Sequence, residues 1–325
     1  MTLLLNRQDV INVLHMKDCM DVLEKAFGEL ANGTAVLPLR INIKPPDGLA
    51  LYMPAYLKEM GALACKVVTV YKDNPAKHNM PTTIGKVLLQ DPGTGDVTCI
   101  MDGGYLTAVR TGAVSGVATK YLARQGTGQV AGIFGAGVQA KMQLWAVSCA
   151  RDISKAYVYD VSPEQTEKFI EEMNKKLHFE IIRADSPEAL LETDVLCTAT
   201  SSAVPLFDGK LVAEGTHING IGSHTPNARE LDTEIVKRSK FVGDSKEACF
   251  SEAGDIMIPL KEGAISESHF YAELGEVIVG RKQGRVNEKE ITIFKSNGLA
   301  IQDAAAAKLV YEKALEKGIG TKVAI

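Results

Sequence analysis

The chain has 325 residues, 46% of them hydrophobic and 23% charged, with a formal net charge of −4. That is the composition of a soluble globular protein, long enough for one large or two medium domains. It offers no basic stripe for nucleic acid and no apolar run long enough to cross a bilayer, so neither a polyanion nor a membrane is expected as a partner.

The six cysteines, Cys19, Cys65, Cys99, Cys149, Cys197 and Cys249, are scattered without a Cys-x-x-Cys. No zinc or other metal site and no disulfide framework is expected, which fits a reducing cytoplasm. The N-terminal Met-Thr-Leu-Leu-Leu-Asn-Arg-Gln-Asp has no charged n-region and no long apolar h-region, so it does not read as a signal peptide.

Residues 1–8 read as a short strand or cap, and Asp9–Leu14 as one or two helical turns. Residues 17–31 carry Met20, Val22, Leu23, Ala26, Phe27 and Leu30 near the helical period, closed by Asn32-Gly33. Runs of strand character follow over 37–43, 50–56, 62–71, 85–91 and 97–101, separated by turns such as Pro45-Pro-Asp-Gly48, Asp73-Asn-Pro75 and Asp91-Pro-Gly-Thr-Gly95. Consecutive strands with short turns predict an antiparallel or mixed sheet, and hence a first domain of α+β type over residues 1–120. A helix rich in Ala and Gly is predicted over 105–124. Its small side chains would admit a neighbouring backbone or a cofactor.

From Gln129 the pattern alternates between strand and helix. Strands are predicted at 130–134, 156–159, 180–183, 195–199, 217–220, 240–243 and 291–294. Helices are predicted at 138–151, 163–177, 186–191 and 230–238. The fold class is therefore α/β, a Rossmann-type doubly wound parallel sheet over residues 121–298. An Ala-rich helix from Leu299 would return to the first domain. Ligands are then expected in the cleft between the domains, at the carboxyl ends of the strands.

The stretch Val130-Ala-Gly-Ile-Phe-Gly-Ala-Gly-Val-Gln-Ala140 carries a Gly-x-Gly-x-x-Ala turn between a strand and a helix. Gly135 permits the tight turn, Gly137 lets the backbone approach a pyrophosphate, and Ala140 lets helix and strand pack closely. A second strand ends in Asp160, about 20–25 residues after the first glycine, where a carboxylate would bond the adenosine ribose hydroxyls. An acid there repels a 2′-phosphate, and Val161-Ser-Pro163 supplies no Arg to hold one. This favours NAD, with NADP left open.

Four polar residues sit in apolar or small-residue company: Arg40, Lys66, Arg110 and His224. Strand alternation could simply turn Arg40 and Lys66 to solvent, and His224 could be a loop residue bonding locally. Taken together, two guanidiniums and an ammonium suit a narrower task. The planar fork of Arg binds a carboxylate through paired hydrogen bonds, and a Lys near other cations can pass a proton. A small α-keto, α-imino or α-amino acid is the ligand such a set would hold.

Several segments make the sequence resemble the ornithine cyclodeaminase/μ-crystallin family over essentially its whole length. They are Met53-Pro-Ala55, Lys66, Met80-Pro-Thr-Thr83, Met101-Asp102, Arg110-Thr-Gly-Ala113, the glycine turn, Cys197-Thr-Ala-Thr-Ser-Ser202, Glu214-Gly-Thr-His-Ile-Asn219, Gly275-Glu-Val-Ile278 and Ile291–Asp303. The resemblance implies a Rossmann domain and a substrate domain that also forms a homodimer. It implies that Arg40 and Arg110 clamp a substrate carboxylate and that Lys66 contacts it or the reacting C–N group. Thr82, Ser296 and Gly298 would lie near the nicotinamide. Gly135, Gly137, Val138, Gln139 and Asp160 would hold the dinucleotide, with Thr198, Ala199, Thr200 and Ser201 on its adenosine side. Cyclodeaminases of the family carry an Asp where this sequence has His224, a residue able to exchange a proton near neutral pH. The expected activity is NAD(P)H-dependent reduction of a small 2-imino acid, Δ1-pyrroline-2-carboxylate to L-proline first. The alternatives are alanine dehydrogenase, ornithine cyclodeaminase, and a non-catalytic, crystallin-like binding protein.

Overall fold

The structure is a computed structural model that describes residues 1–324. Two compact units make it up: Met1–Arg110 with the segment from Leu299 onward, and Thr111–Gly298. The division falls inside the helix Gly103–Leu122, upstream of the 120/121 boundary read from the sequence.

The first unit contains β1 (Thr2–Leu5), β2 (Ala35–Val36), β3 (Ile41–Ile43), β4 (Leu49–Leu57), β5 (Ala62–Val70), β6 (Thr83–Gln90) and β7 (Val97–Asp102). Its sheet runs Thr321–Val323, β1, β7, β6, β5, β4, β2, with β3 also paired to β4. The β1–β7 pair is parallel and the others are antiparallel, so the sheet is mixed. The strand expected over 37–43 is shorter than predicted. Pro38 has no N–H to give a ladder, and only Ile41–Ile43 pairs there. The Asp73-Asn-Pro turn contains a short helix, Asn74–His78, with Pro75 in its first turn.

Strand alternation sets what this sheet buries. On β5 the buried side chains are Ala62, Ala64 and Lys66, every second residue, so Lys66 shares the inward face with two alanines. The helix Ala300–Lys317 lies against β4, β5 and β6. Its buried residues run from Ala300 through Ala307, polar Gln302 and Asp303 among them. The helix Met16–Asn32 buries Met16, Cys19, Met20, Leu23, Ala26 and Phe27 and contacts the Ala300–Lys317 helix. It ends at Gly33, whose φ of 74° closes the helix in the left-handed conformation. Glu29 on this helix accepts hydrogen bonds from Glu59 N and Met60 N, fastening the β4–β5 turn.

The second unit contains β8 (Gln129–Phe134), β9 (Ile153–Tyr159), β10 (Glu180–Arg183), β11 (Val195–Thr198), β12 (His217–Gly220), β13 (Ser239–Gly243), β14 (Phe270–Glu273) and β15 (Ile291–Lys295). The order is β10-β9-β8-β11-β12-β15-β13-β14, every pair parallel. This is the doubly wound α/β fold. The direction of winding reverses at β8, which makes its carboxyl end the place for a ligand. All residues of β11, β12 and β15 are buried, as parallel strands covered on both faces require. The helix expected over 186–191 is a 3-10 turn, Pro187–Leu190. The helix expected from Glu230 begins at Thr233, because the Asp232 carboxylate accepts from Ile235 N and sets the start there.

Gly112, on the small-residue helix, is needed for close approach: a Cβ there would lie 2.5 Å from the carbonyl oxygen of Met142. That glycine serves a neighbouring helix backbone. Among the described residues no helix is long and apolar enough to cross a membrane, and no group of three or more His, Cys, Asp or Glu is placed to hold a metal ion.

Candidate active site and dinucleotide turn

The cation cluster lies in the first unit. Lys66 is 2% exposed and Arg110 5% exposed, both too low for side chains that strand or helix alternation had merely turned to solvent. Asp303, itself 1% exposed, joins them: Lys66 Nζ lies 2.8 Å from its Oδ2, and Arg110 Nε donates to its Oδ1 at 3.0 Å. Arg110 Nη1 also donates to the side-chain oxygen of Gln302. Arg40 is half-buried in the segment before β3 and close enough for its charge to act on Lys66. The structure therefore brings Lys66 and Arg110 together on Asp303, with Arg40 near enough for its charge to act on Lys66.

Burial lowers the Lys66 ammonium from its ordinary 10.5 to about 8. Arg110 and, more weakly, Arg40 push it in the same direction, while Asp303 opposes them. A lysine titrating there can hold or release a proton near neutral pH, next to two guanidiniums able to grip a carboxylate. Thr82 is half-buried in the bend before β6, its carbonyl accepting from Tyr71 N at 2.8 Å. Also in the first unit, Cys19 is buried and its thiol is pushed up to about 12 by that burial, so it stays a neutral thiol.

The dinucleotide turn lies in the second unit. Gly135 has φ 97°, and a Cβ on it would meet the Ala199 carbonyl oxygen at 2.7 Å, so only glycine fits. Gly137 is different. It has an ordinary φ of −81°, and a Cβ there would meet nothing within 4 Å. It also starts the helix Val138–Ala150 without a side-chain cap, so the first-turn N–H groups are not claimed by a capping side chain. Val138 is exposed, and Gln139 carries a buried side-chain oxygen with no hydrogen-bond partner among the described residues. An open glycine and uncapped N–H groups fit a dinucleotide pyrophosphate at this turn.

Asp160 braces the same turn. Its Oδ2 accepts from Ala136 N and its Oδ1 from Ser162 N, each at 2.9 Å. A carboxylate has further acceptor sites beyond these two bonds. Asp160→Ser is expected to raise the NADPH/NADH ratio of kcat/KM by roughly tenfold, the scale of one lost charged contact. Steady-state rates with both cofactors check it, and an unchanged ratio rejects the ribose role.

The loops expected on the adenosine and nicotinamide sides are organised by carboxylates that sequence reading did not single out. Glu230, wholly buried, accepts from Thr198 Oγ1, from Thr200 N and Oγ1, and from Gly222 N, each at 2.7 Å. The hydroxyls of Thr198 and Thr200 are thus spent on shaping the loops after β11 and β12. The Ala199 carbonyl lies where a Cβ on Gly135 would clash with it, and Ser201 is exposed. Asp244, also wholly buried, accepts from Ser296 Oγ at 3.2 Å, Asn297 N at 2.7 Å and Gly298 N at 2.8 Å. Burial raises the carboxyl pKa of both acids. Lys295 and Asp255 form a further buried pair at 2.8 Å. His224 is exposed on the loop after β12.

Asp303 is the other residue the sequence reading passed over, although the segment containing it was noted. An acid in the first turn of a helix is ordinary because it complements the helix dipole, so nothing local marks Asp303 as the partner of two buried cations.

A sequence model of the ornithine cyclodeaminase/mu-crystallin family matches residues 1–318. The chain belongs to that family. Its backbone superposes on the structure of Thermococcus litoralis Δ1-pyrroline-2-carboxylate reductase in complex with NADH and L-proline with a TM-score of 0.94 and 51% identity, covering 99% of this chain and 100% of that one. It is 40% identical over 323 residues to the alanine dehydrogenase of Archaeoglobus fulgidus, covering 99% and 98% of the two chains. It is 38% identical over 325 residues to the Δ1-pyrroline-2-carboxylate reductase of Bacillus thuringiensis subsp. konkukian, covering 99% of each. These relatives share the family over their full length, so the cation cluster and the glycine turn both fall within the matched region.

Proposed function

We propose that this protein is an NAD(P)H-dependent reductase of a small cyclic 2-imino acid, with Δ1-pyrroline-2-carboxylate reduced to L-proline as the first assignment and NADH as the preferred donor. The observation that carries the reading is the buried pairing of Lys66 and Arg110 on Asp303, with the half-buried Arg40 near enough for its charge to act on Lys66. A 2-imino acid carries its carboxylate on the carbon of the C=N bond, so groups that grip the one stand beside the other. The likeness to the Thermococcus litoralis reductase, held with NADH and L-proline, supports the same choice.

A nicotinamide dinucleotide held at the glycine turn would supply the hydride for the imine carbon. The residues of this chain do the rest. Arg110 and Arg40 would hold the carboxylate, and Lys66 would hold the proton that the imine nitrogen takes up. Gly135, Gly137 and Asp160 would hold the pyrophosphate and ribose in the second unit.

The test is oxidation of NADH and NADPH with Δ1-pyrroline-2-carboxylate and Δ1-piperideine-2-carboxylate, with L-proline or L-pipecolate identified as product. Absence of turnover on both acids would overturn the reading. The 40% identity to the Archaeoglobus alanine dehydrogenase favours a second reading, reductive amination of pyruvate. Pyruvate with ammonia in the same panel separates the two.

A further inference from the structure

We infer that Asp303 is a positioning residue for the reduction: from the first turn of the helix Ala300–Lys317, its carboxylate ties the Lys66 ammonium to the Arg110 guanidinium and holds the proton donor and the carboxylate clamp as one unit. The inference rests on the imino-acid reductase reading, because it assigns Lys66 a proton to deliver.

The geometry is the argument. The two carboxylate oxygens of Asp303 are divided between the cations, Oδ2 to Lys66 Nζ at 2.8 Å and Oδ1 to Arg110 Nε at 3.0 Å. Gln302, the preceding residue, takes Arg110 Nη1. One helical turn therefore fixes two edges of the guanidinium and the ammonium together. All four side chains are buried, so water cannot replace the carboxylate if it is lost.

The other groups around Lys66 make Asp303 the one that favours its charge. Its partners across the sheet are Met53 on β4 and Val87 on β6, neither of them ionisable. Arg110 on the Gly103–Leu122 helix and Arg40 before β3 both oppose a third positive charge. Cys19, on the Met16–Asn32 helix, and Cys65, next in sequence, are thiols raised by burial and bring no anion near neutral pH. Burial also opposes the ammonium, so Asp303 alone among these groups pulls toward it. Without Asp303 the lysine would lose its proton at a lower pH, and Arg110 would lose one of its two anchors.

The experiment compares wild type with Asp303→Asn, which keeps the shape and removes the charge. If Lys66 must be protonated to act, kcat/KM falls as pH rises through its titration near 8. In Asp303→Asn that limb should move down by at least one pH unit. The protonated fraction at pH 8 would then fall about fivefold, while activity at pH 6 falls much less. KM should rise as well, because the clamp is loosened. A uniform loss at every pH with the limb unmoved would overturn the proposal, and so would an unchanged profile.

Titration of Lys66 by NMR of lysine-labelled protein, with and without the substitution, reads the same shift without turnover. If that titration moves but no imino acid is reduced, the reductase reading fails, and the role in reduction with it, while the coupling of Lys66 to Asp303 stands. If Asp303→Asn does not fold, Asp303→Glu keeps the charge on a longer arm. Its limb should stay within about half a pH unit of wild type while kcat drops, and a limb displaced by a full unit would count against the proposal.

Discussion

Arg110→Ala is expected to lower kcat/KM for the imino acid by roughly 10²–10³-fold and to leave NADH affinity within about twofold. The size follows from the environment. Truncating one member of a buried, hydrogen-bonded charge pair costs about 2–5 kcal/mol, and each 1.4 kcal/mol is about tenfold. Arg110 is 5% exposed, with Nε held by Asp303 and Nη1 by Gln302. Its guanidinium is thus ordered before any substrate arrives, and the entropy of fixing it is not charged to binding. A lysine should not rescue it, because an ammonium cannot reproduce the planar fork that two partners already orient. The controls are a thermal melt and an NADH fluorescence titration. Removing Arg110 leaves Asp303 paired with Lys66 alone, so some loss of Tm is expected with the loss of activity. Equal losses in kcat/KM and NADH affinity would make Arg110 a structural or cofactor residue and remove it from the carboxylate clamp.

Much of this architecture was legible in the sequence, and the reasons are specific. In the second unit β8, β11, β12 and β15 are buried almost throughout. Val130–Phe134 and Val195–Cys197 read as short apolar runs, a pattern that a parallel sheet imposes, whereas β12 and β15 bury polar residues such as His217, Asn219 and Lys295 as well. The glycine turn was legible because its residue types answer to local geometry, as the positive φ of Gly135 shows. Short elements were lost for the opposite reason. The helices Lys246–Glu252 and Gly254–Lys261 span too few turns to establish a period, and the second contains Pro259. Residues 270–273, which form β14, are too few to show the alternation of a strand.

The carboxylates that organise the site were hidden more deeply. Asp303 bonds a residue 193 positions away, Glu230 bonds Thr198 across 32, and Asp244 bonds Asn297 across 53. No local pattern encodes a partner at such distances. What the sequence does carry is the misfit itself, a charged residue where periodicity calls for an apolar one. Lys66 shows this most clearly, since it follows Ala62 and Ala64 on the inward face of β5. Alternation alone leaves open which face is inward; once Ala62 and Ala64 are buried, Lys66 is buried with them, and a buried lysine implies a buried anion. That anion is Asp303.

Gly135→Ala and Gly137→Ala are expected to fail in different ways, although they lie two residues apart in one turn. At Gly135 the new methyl would meet the Ala199 carbonyl at 2.7 Å on a backbone with φ 97°. Strain of that kind costs about 1–3 kcal/mol, enough to lower Tm by several degrees in a unit of this size. The carboxyl ends of β8 and β11 would be pushed apart before any cofactor binds. At Gly137 the backbone has φ −81°, and the methyl would meet no protein atom within 4 Å. The only intrinsic cost is a poorer helix cap, roughly 1 kcal/mol or less, so Tm should change by no more than about 2–4 °C. The space the methyl enters is where a pyrophosphate would approach the uncapped helix Val138–Ala150, so NADH affinity should fall by at least about tenfold, the loss of one close charged contact. The two readouts therefore part company: Gly135→Ala loses stability and cofactor together, and Gly137→Ala loses cofactor alone. Normal NADH binding by a stable Gly137→Ala protein would mean that the pyrophosphate does not pass this glycine, and the dinucleotide would have to be placed elsewhere on the sheet.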